Sequence, residues 1–84
     1  MFSNTFFWYR LHMTTSSLTQ KDIEIANRIR RLRKKNELTQ EQLAEKVHVS
    51  TTHIGLVETG KRRASLKTLQ RIASALGVKL KELF

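Results

Sequence analysis

The side chains of this 84-residue sequence that can do chemistry are mostly cations. Sixteen Lys and Arg stand against seven Asp and Glu, a formal charge of +9. Many fall in two runs, Arg28 to Lys35 and Lys61-Arg62-Arg63. Such runs suit a polyanion, because each Lys or Arg that meets a phosphate releases condensed counterions. Other reactive types are sparse. The absence of cysteine excludes disulfides, thiolate zinc sites and thiol catalysis together. Glu45 and His48 have helical i, i+3 spacing, but two ligands without a third do not make a metal site. The helical region holds no nucleophile paired with a base, no metal cluster and no phosphate loop, which excludes an enzyme. No cofactor, metal or small-molecule site is expected.

The elements that must position these cations read as helices. Thr19-Gln20-Lys21-Asp22 has the spacing of a capping box, and Ile25, Ile29 and Leu32 follow on one face, with the exit near Asn36 and Glu37. Thr39 to Gln42 repeats the box before Leu43, Ala44 and Val47. Ser50 caps a third helix, carrying Ile54 and Val57 and closed at Gly60. Ser65 caps a fourth, in which Leu66, Leu69, Ile72, Ala73 and Leu76 are read as core, ending at Gly77. Leu80, Leu83 and Phe84 form an apolar helical tail, the fifth element of an all-α fold. The second helix, about 40 to 47, and the third, about 51 to 58, are separated only by His48, Val49 and Ser50. That connection is the geometry of a helix-turn-helix, whose second helix can enter a major groove. His48 then reads as a turn residue tolerating positive φ.

Residues 1 to 18 are expected to be a flexible arm and 19 to 84 the domain. Five of the six aromatics crowd into the first nine residues, and the Thr14-Thr15-Ser16-Ser17 tract reads as a linker. Met13 offers a second start. An arm that is disordered or loosely docked, and one that packs on the domain or a partner subunit, remain alternatives. The apolar run from Phe6 to Leu11 is too short for a signal-peptide core, and no run reaches the roughly 20 residues of a membrane span. A cytoplasmic protein is expected. Membrane-surface binding is disfavoured because the apolar helix faces are needed for the core.

The pattern LTQEQLAEKV, VS, I, VE, GKR, SL, TL, IA, AL, ELF, running through residues 22 to 84, resembles the phage-repressor/Cro type of helix-turn-helix domain. The resemblance implies a five-helix domain that binds operator DNA, commonly as a two-fold homodimer. By the same resemblance Gln40 touches the DNA backbone and braces the recognition helix, and Thr51, Thr52, Gly55 and Leu56 face base edges. His53, Thr59 and Lys61 lie near phosphates, and Arg33 pairs with Glu58. The sequence departs from the pattern at His48, where glycine is usual, at Gly55 and Leu56, where longer polar side chains are frequent, and at Ala64, where proline is common.

Electrostatics supports this division independently. Glu58 is the only charged residue from Ser50 to Gly60, whereas Lys61, Arg62 and Arg63 follow at once and can grip a strand. Amides at the starts of helices two and three, that of Ser50 included, can serve phosphates. Charges would then position the protein while short neutral side chains read bases. Thr can hydrogen-bond a base or meet a thymine methyl and Leu56 only the methyl, so readout biased toward A·T pairs is expected. The function expected is a sequence-specific regulator of transcription on double-stranded DNA, a class that includes antitoxins and restriction-modification controllers. The alternative is a protein-interaction module, coactivator- or antitoxin-like, that retains the same fold without reading bases.

Overall fold

The structure, a computed structural model, describes residues 18–84. The expectations for the arm therefore lie outside the described residues, except at Leu18. Four α-helices follow in order: α1 (Gln20–Lys35), α2 (Gln40–Val47), α3 (Thr51–Glu58) and α4 (Leu66–Ala75). A 3-10 turn over Leu80–Leu83 comes last, and no strand occurs among the described residues. No helix among them is long and apolar enough to cross a membrane.

Each helix begins where a side chain satisfies its first free amides. Thr19 accepts from the Asp22 amide at 3.1 Å while the Asp22 carboxylate accepts from the Thr19 amide at 2.8 Å. Thr39 and Gln42 make the same reciprocal pair at 3.0 and 2.8 Å. Ser50 caps α3 through the His53 amide at 3.0 Å, and Ser65 caps α4 through Thr68 at 3.1 Å. Each cap contributes about 1 kcal/mol.

The helices end by a shared device. Glu37 follows α1 at φ 58°, His48 follows α2 at 63°, Gly60 follows α3 at 71° and Gly77 follows α4 at 72°. A left-handed residue lets the final carbonyls accept from amides just beyond, as Val49 N–H does to Ala44 O at 3.1 Å. His48 thus takes the backbone expected of it. Glu37 is the position that sequence reading missed, because a glutamate carries no left-handed preference of its own.

The core is one cluster. Ile29, Leu43, Val47, Ile54, Ile72 and Leu83 are essentially inaccessible, with Ile25, Ala44, Val57, Leu69, Ala73 and Leu76 around them. α2 packs on α3 and α4, α1 on α3, and the 3-10 turn closes the cluster against α4 and α1. Burying each large side chain contributes about 1.5–3 kcal/mol.

Two expectations need correcting. The fifth helix is a single 3-10 turn: four residues cannot nucleate an α-helix of their own, and Glu82 N–H instead bonds Lys79 O at 2.9 Å. Leu66, read as core, is 59% exposed. Leu66 shares the helical face of the buried Leu69 and Ala73, yet at the first turn of α4 it stays exposed.

The backbone at His48 generates a prediction. His48→Gly removes the steric cost of a left-handed side chain and is expected to stabilise the domain by about 0.5–1 kcal/mol, raising Tm by several degrees. Thermal melting checks this, with Gly77→Ala as the opposite case, expected to lower Tm. A lower Tm for His48→Gly would mean that its imidazole makes compensating contacts.

Candidate nucleic-acid interface

α3 is presented by what its other side buries. Ile54 and Val57 enter the core, and Glu58 is 3% exposed. Thr51, Thr52 and Thr59 are exposed, while His53, Gly55 and Leu56 are half-buried. The open side of α3 is therefore uncharged.

The buried carboxylate of Glu58 holds α3 in place. Arg33, near the end of α1, donates Nε to Glu58 Oε2 at 2.6 Å and Nη2 to Oε1 at 3.1 Å. Its Nη1 donates to Leu38 O at 2.6 Å, closing the α1–α2 connection. Gln40, the first residue of α2, donates Nε2 to the same Glu58 Oε1 at 3.1 Å. One carboxylate thus ties α1, α2 and α3 together, and no buried side-chain polar atom among the described residues lacks a partner. The Leu38 contact is a feature that residue types alone did not reveal.

Gly55 lies on the side of α3 that meets Gln40. A Cβ there would sit 3.6 Å from Gln40 Oε1, ordinary van der Waals contact. Of the residues expected at base edges, Thr51 and Thr52 are thus the freest, with Leu56 half-covered and Gly55 against the Gln40 amide.

The hydroxyls at the two ends of α3 have intramolecular roles. Ser50 Oγ accepts from the His53 amide, and Thr59 Oγ1 donates to the carbonyls of Gly55 and Leu56 at 2.9 and 3.2 Å. Beyond Thr59 the chain folds straight back. The amides of Lys61 and Arg62 donate to Leu56 O at 2.9 and 3.2 Å, so the basic run begins fastened to the end of α3. Lys61 and Arg62 are exposed. Arg63, expected at a phosphate, reaches Asp22 in this structure, with Nε at 3.1 Å and Nη2 at 2.8 Å from Oδ2. That carboxyl is held below its ordinary value, chiefly by the Thr19 amide, and also by Arg63 and the Thr19 hydroxyl. Among the described residues no three His, Asp or Glu converge as metal ligands.

Comparison with known proteins agrees with this architecture. Residues 29–83 match the helix-turn-helix family. Control protein C.MunI of a Mycoplasma species is 40% identical over 63 residues, covering 74% of this chain and 85% of that protein. The crystal structure of the restriction-modification controller protein C.AhdI from Aeromonas hydrophila superposes with a TM-score of 0.72 at 35% identity, over 74% of this chain and 94% of that one. SinR, a master regulator of biofilm formation crystallised in complex with DNA, gives 0.67 at 27% identity, over 70% and 95% of the two chains.

The ion pair generates a test. Glu58→Gln keeps the volume but leaves the Arg33 charge buried without a counter-charge, and is expected to cost about 3 kcal/mol. Gln40→Ala, which removes one neutral donor, is expected to cost about 1 kcal/mol. Urea unfolding measures both. A Glu58→Gln loss below the Gln40→Ala loss would show that Arg33 finds water instead.

Proposed function

This chain belongs to the helix-turn-helix family, and on that premise we propose that it is a sequence-specific regulator of transcription that binds double-stranded DNA with α3 in the major groove. The observation that carries the reading is the uncharged open side of α3, braced from behind by Glu58 and followed directly by exposed cations. Likeness to two control proteins supports a controller-type regulator.

In this reading Thr51 and Thr52 meet base edges first, with Leu56 offering an apolar contact to a thymine methyl. Gln40 braces the helix through its bond to Glu58, with Gly55 beside it, and presents its remaining groups to the backbone. Lys61 and Arg62 contact phosphates. His53 supports the same strand from the half-buried edge of α3, and the Ser50 and Thr59 hydroxyls shape the ends of the helix. The domain is taken as residues 19–84, with the preceding segment as an arm.

A homodimer accompanies this function. Leu66 at the start of α4 and Phe84 beyond the 3-10 turn are 59% and 39% exposed, on elements that pack together. Of the apolar tail residues Leu80, Leu83 and Phe84, Leu83 is wholly buried and Leu80 half-buried, so the candidate pairing surface is Phe84 with Leu66. Two-fold pairing places two copies of α3 on half-sites about 10 bp apart, or a small multiple of that. Sedimentation with a duplex selected from a random pool is expected to show two chains per site. One chain on an unrepeated site would remove the dimer.

A salt titration on a selected and a scrambled duplex separates the two kinds of contact. Lys61→Ala is expected to weaken both duplexes alike and reduce the salt slope by about one. Thr52→Ala is expected to cost about 1–3 kcal/mol on the selected duplex only, at unchanged slope. If both variants weaken both duplexes equally, α3 does not read sequence and a protein-interaction module becomes the better account.

A further inference from the structure

The three consecutive cations after α3 are not equivalent. Lys61 and Arg62 are exposed and meet no carboxylate within salt-bridge distance among the described residues. Arg63 is held by Asp22, 41 residues earlier, through two donors to one oxygen. That same oxygen accepts from the Thr19 amide at 2.8 Å and the Thr19 hydroxyl at 3.1 Å, so the cap that starts α1 also seats the arginine. The Asp22 side chain is 17% exposed and that of Arg63 is 54% exposed.

A pair this accessible contributes little to folding. Its consequence for a polyanion is larger in proportion. A guanidinium already matched to a carboxylate releases few counterions at a phosphate, and moving it there would strip Asp22 of its partner beside the strand. The Asp22 charge also stands at the positive end of α1, which favours its ionised form and holds the pair together.

We propose that Asp22 is a positioning residue that withholds Arg63 from DNA phosphates, leaving Lys61 and Arg62 as the working cations of the run. Asp22 thereby lowers the sequence-independent part of DNA affinity without touching base readout. The inference rests on the DNA-binding reading above and goes beyond it by giving the acid at the start of α1 a role in that affinity.

The test is Asp22→Asn, whose side-chain oxygen can still accept from the Thr19 amide. Freeing one guanidinium is expected to steepen the salt slope by about 0.9 and to tighten binding to the selected and scrambled duplexes alike. At 0.1 M salt the gain is up to about eightfold, the factor a slope of about 0.9 gives over the decade below 1 M. Arg63→Ala in the Asp22→Asn background is expected to abolish that gain, and Arg63→Ala alone to leave the slope within about half a unit of the parent's. Should Asp22→Asn fail to fold, Arg63→Ala alone still decides. A slope reduced by a full unit in Arg63→Ala overturns the proposal, because Arg63 would then already be working on phosphate. Weaker binding or an unchanged slope in folded Asp22→Asn overturns it too, while the DNA-binding reading survives. A parent protein that binds neither duplex at any salt overturns both.

Discussion

A carboxylate with almost no access to water must be matched by a cation and by hydrogen bonds, or it raises the free energy of the whole fold. Glu58 is such a group, and the way it is satisfied organises this domain. Arg33 meets both of its oxygens from α1, Gln40 adds a bond from the first residue of α2, and the third guanidinium nitrogen group holds the Leu38 carbonyl between those helices. Replacing such a cluster with apolar side chains of similar volume is often neutral or stabilising elsewhere, so its value here lies in placement. It allows one orientation of α3 against α1 and α2, which a purely apolar contact would define less sharply. The surface that α3 offers is the remainder once these partners are satisfied.

Charge is correspondingly divided between two adjacent stretches. The helix that can enter a groove buries its only acid and shows hydroxyls and an apolar side chain, while the cations begin where the chain has turned back onto Leu56. Long-range attraction and short-range recognition therefore belong to different residues, and a change in one need not alter the other. The exposed cations of the α1 run add to the general positive field around this surface.

Compactness comes from how the helices stop. A left-handed residue follows each of the four within two positions, and the sequence contains no proline to impose those turns. Glycine fills two of the four positions at little cost, while Glu37 and His48 fill the others against their steric preference. The fold tolerates those two residues because the helices they join are pinned on both sides, by Arg33 and Leu38 at the first turn and by core residues Val47 and Ile54 at the second.

Local information determined much of this protein. Hydroxyl caps, apolar spacing and glycine positions located four helix starts and their buried faces, the three-residue connection marked the helix-turn-helix, and the unusual His48 was readable as a left-handed residue. All of these depend on neighbours within a turn or two. The resemblance of its motifs to a known domain type supplied the Arg33–Glu58 pairing, which spacing alone does not contain. Tertiary structure decided the rest. Leu66 has the periodicity of a core residue and stands in water, because periodicity sets a face and cannot say where the opposing layer ends. Glu37 is left-handed because the chain must reverse before Leu38, not because glutamate prefers it. Arg63 lies in a run that reads as three like cations, yet one of them is spent on Asp22. That assignment depends on the start of α1 and the loop after α3 arriving at the same place, a distance that only the packed helices set.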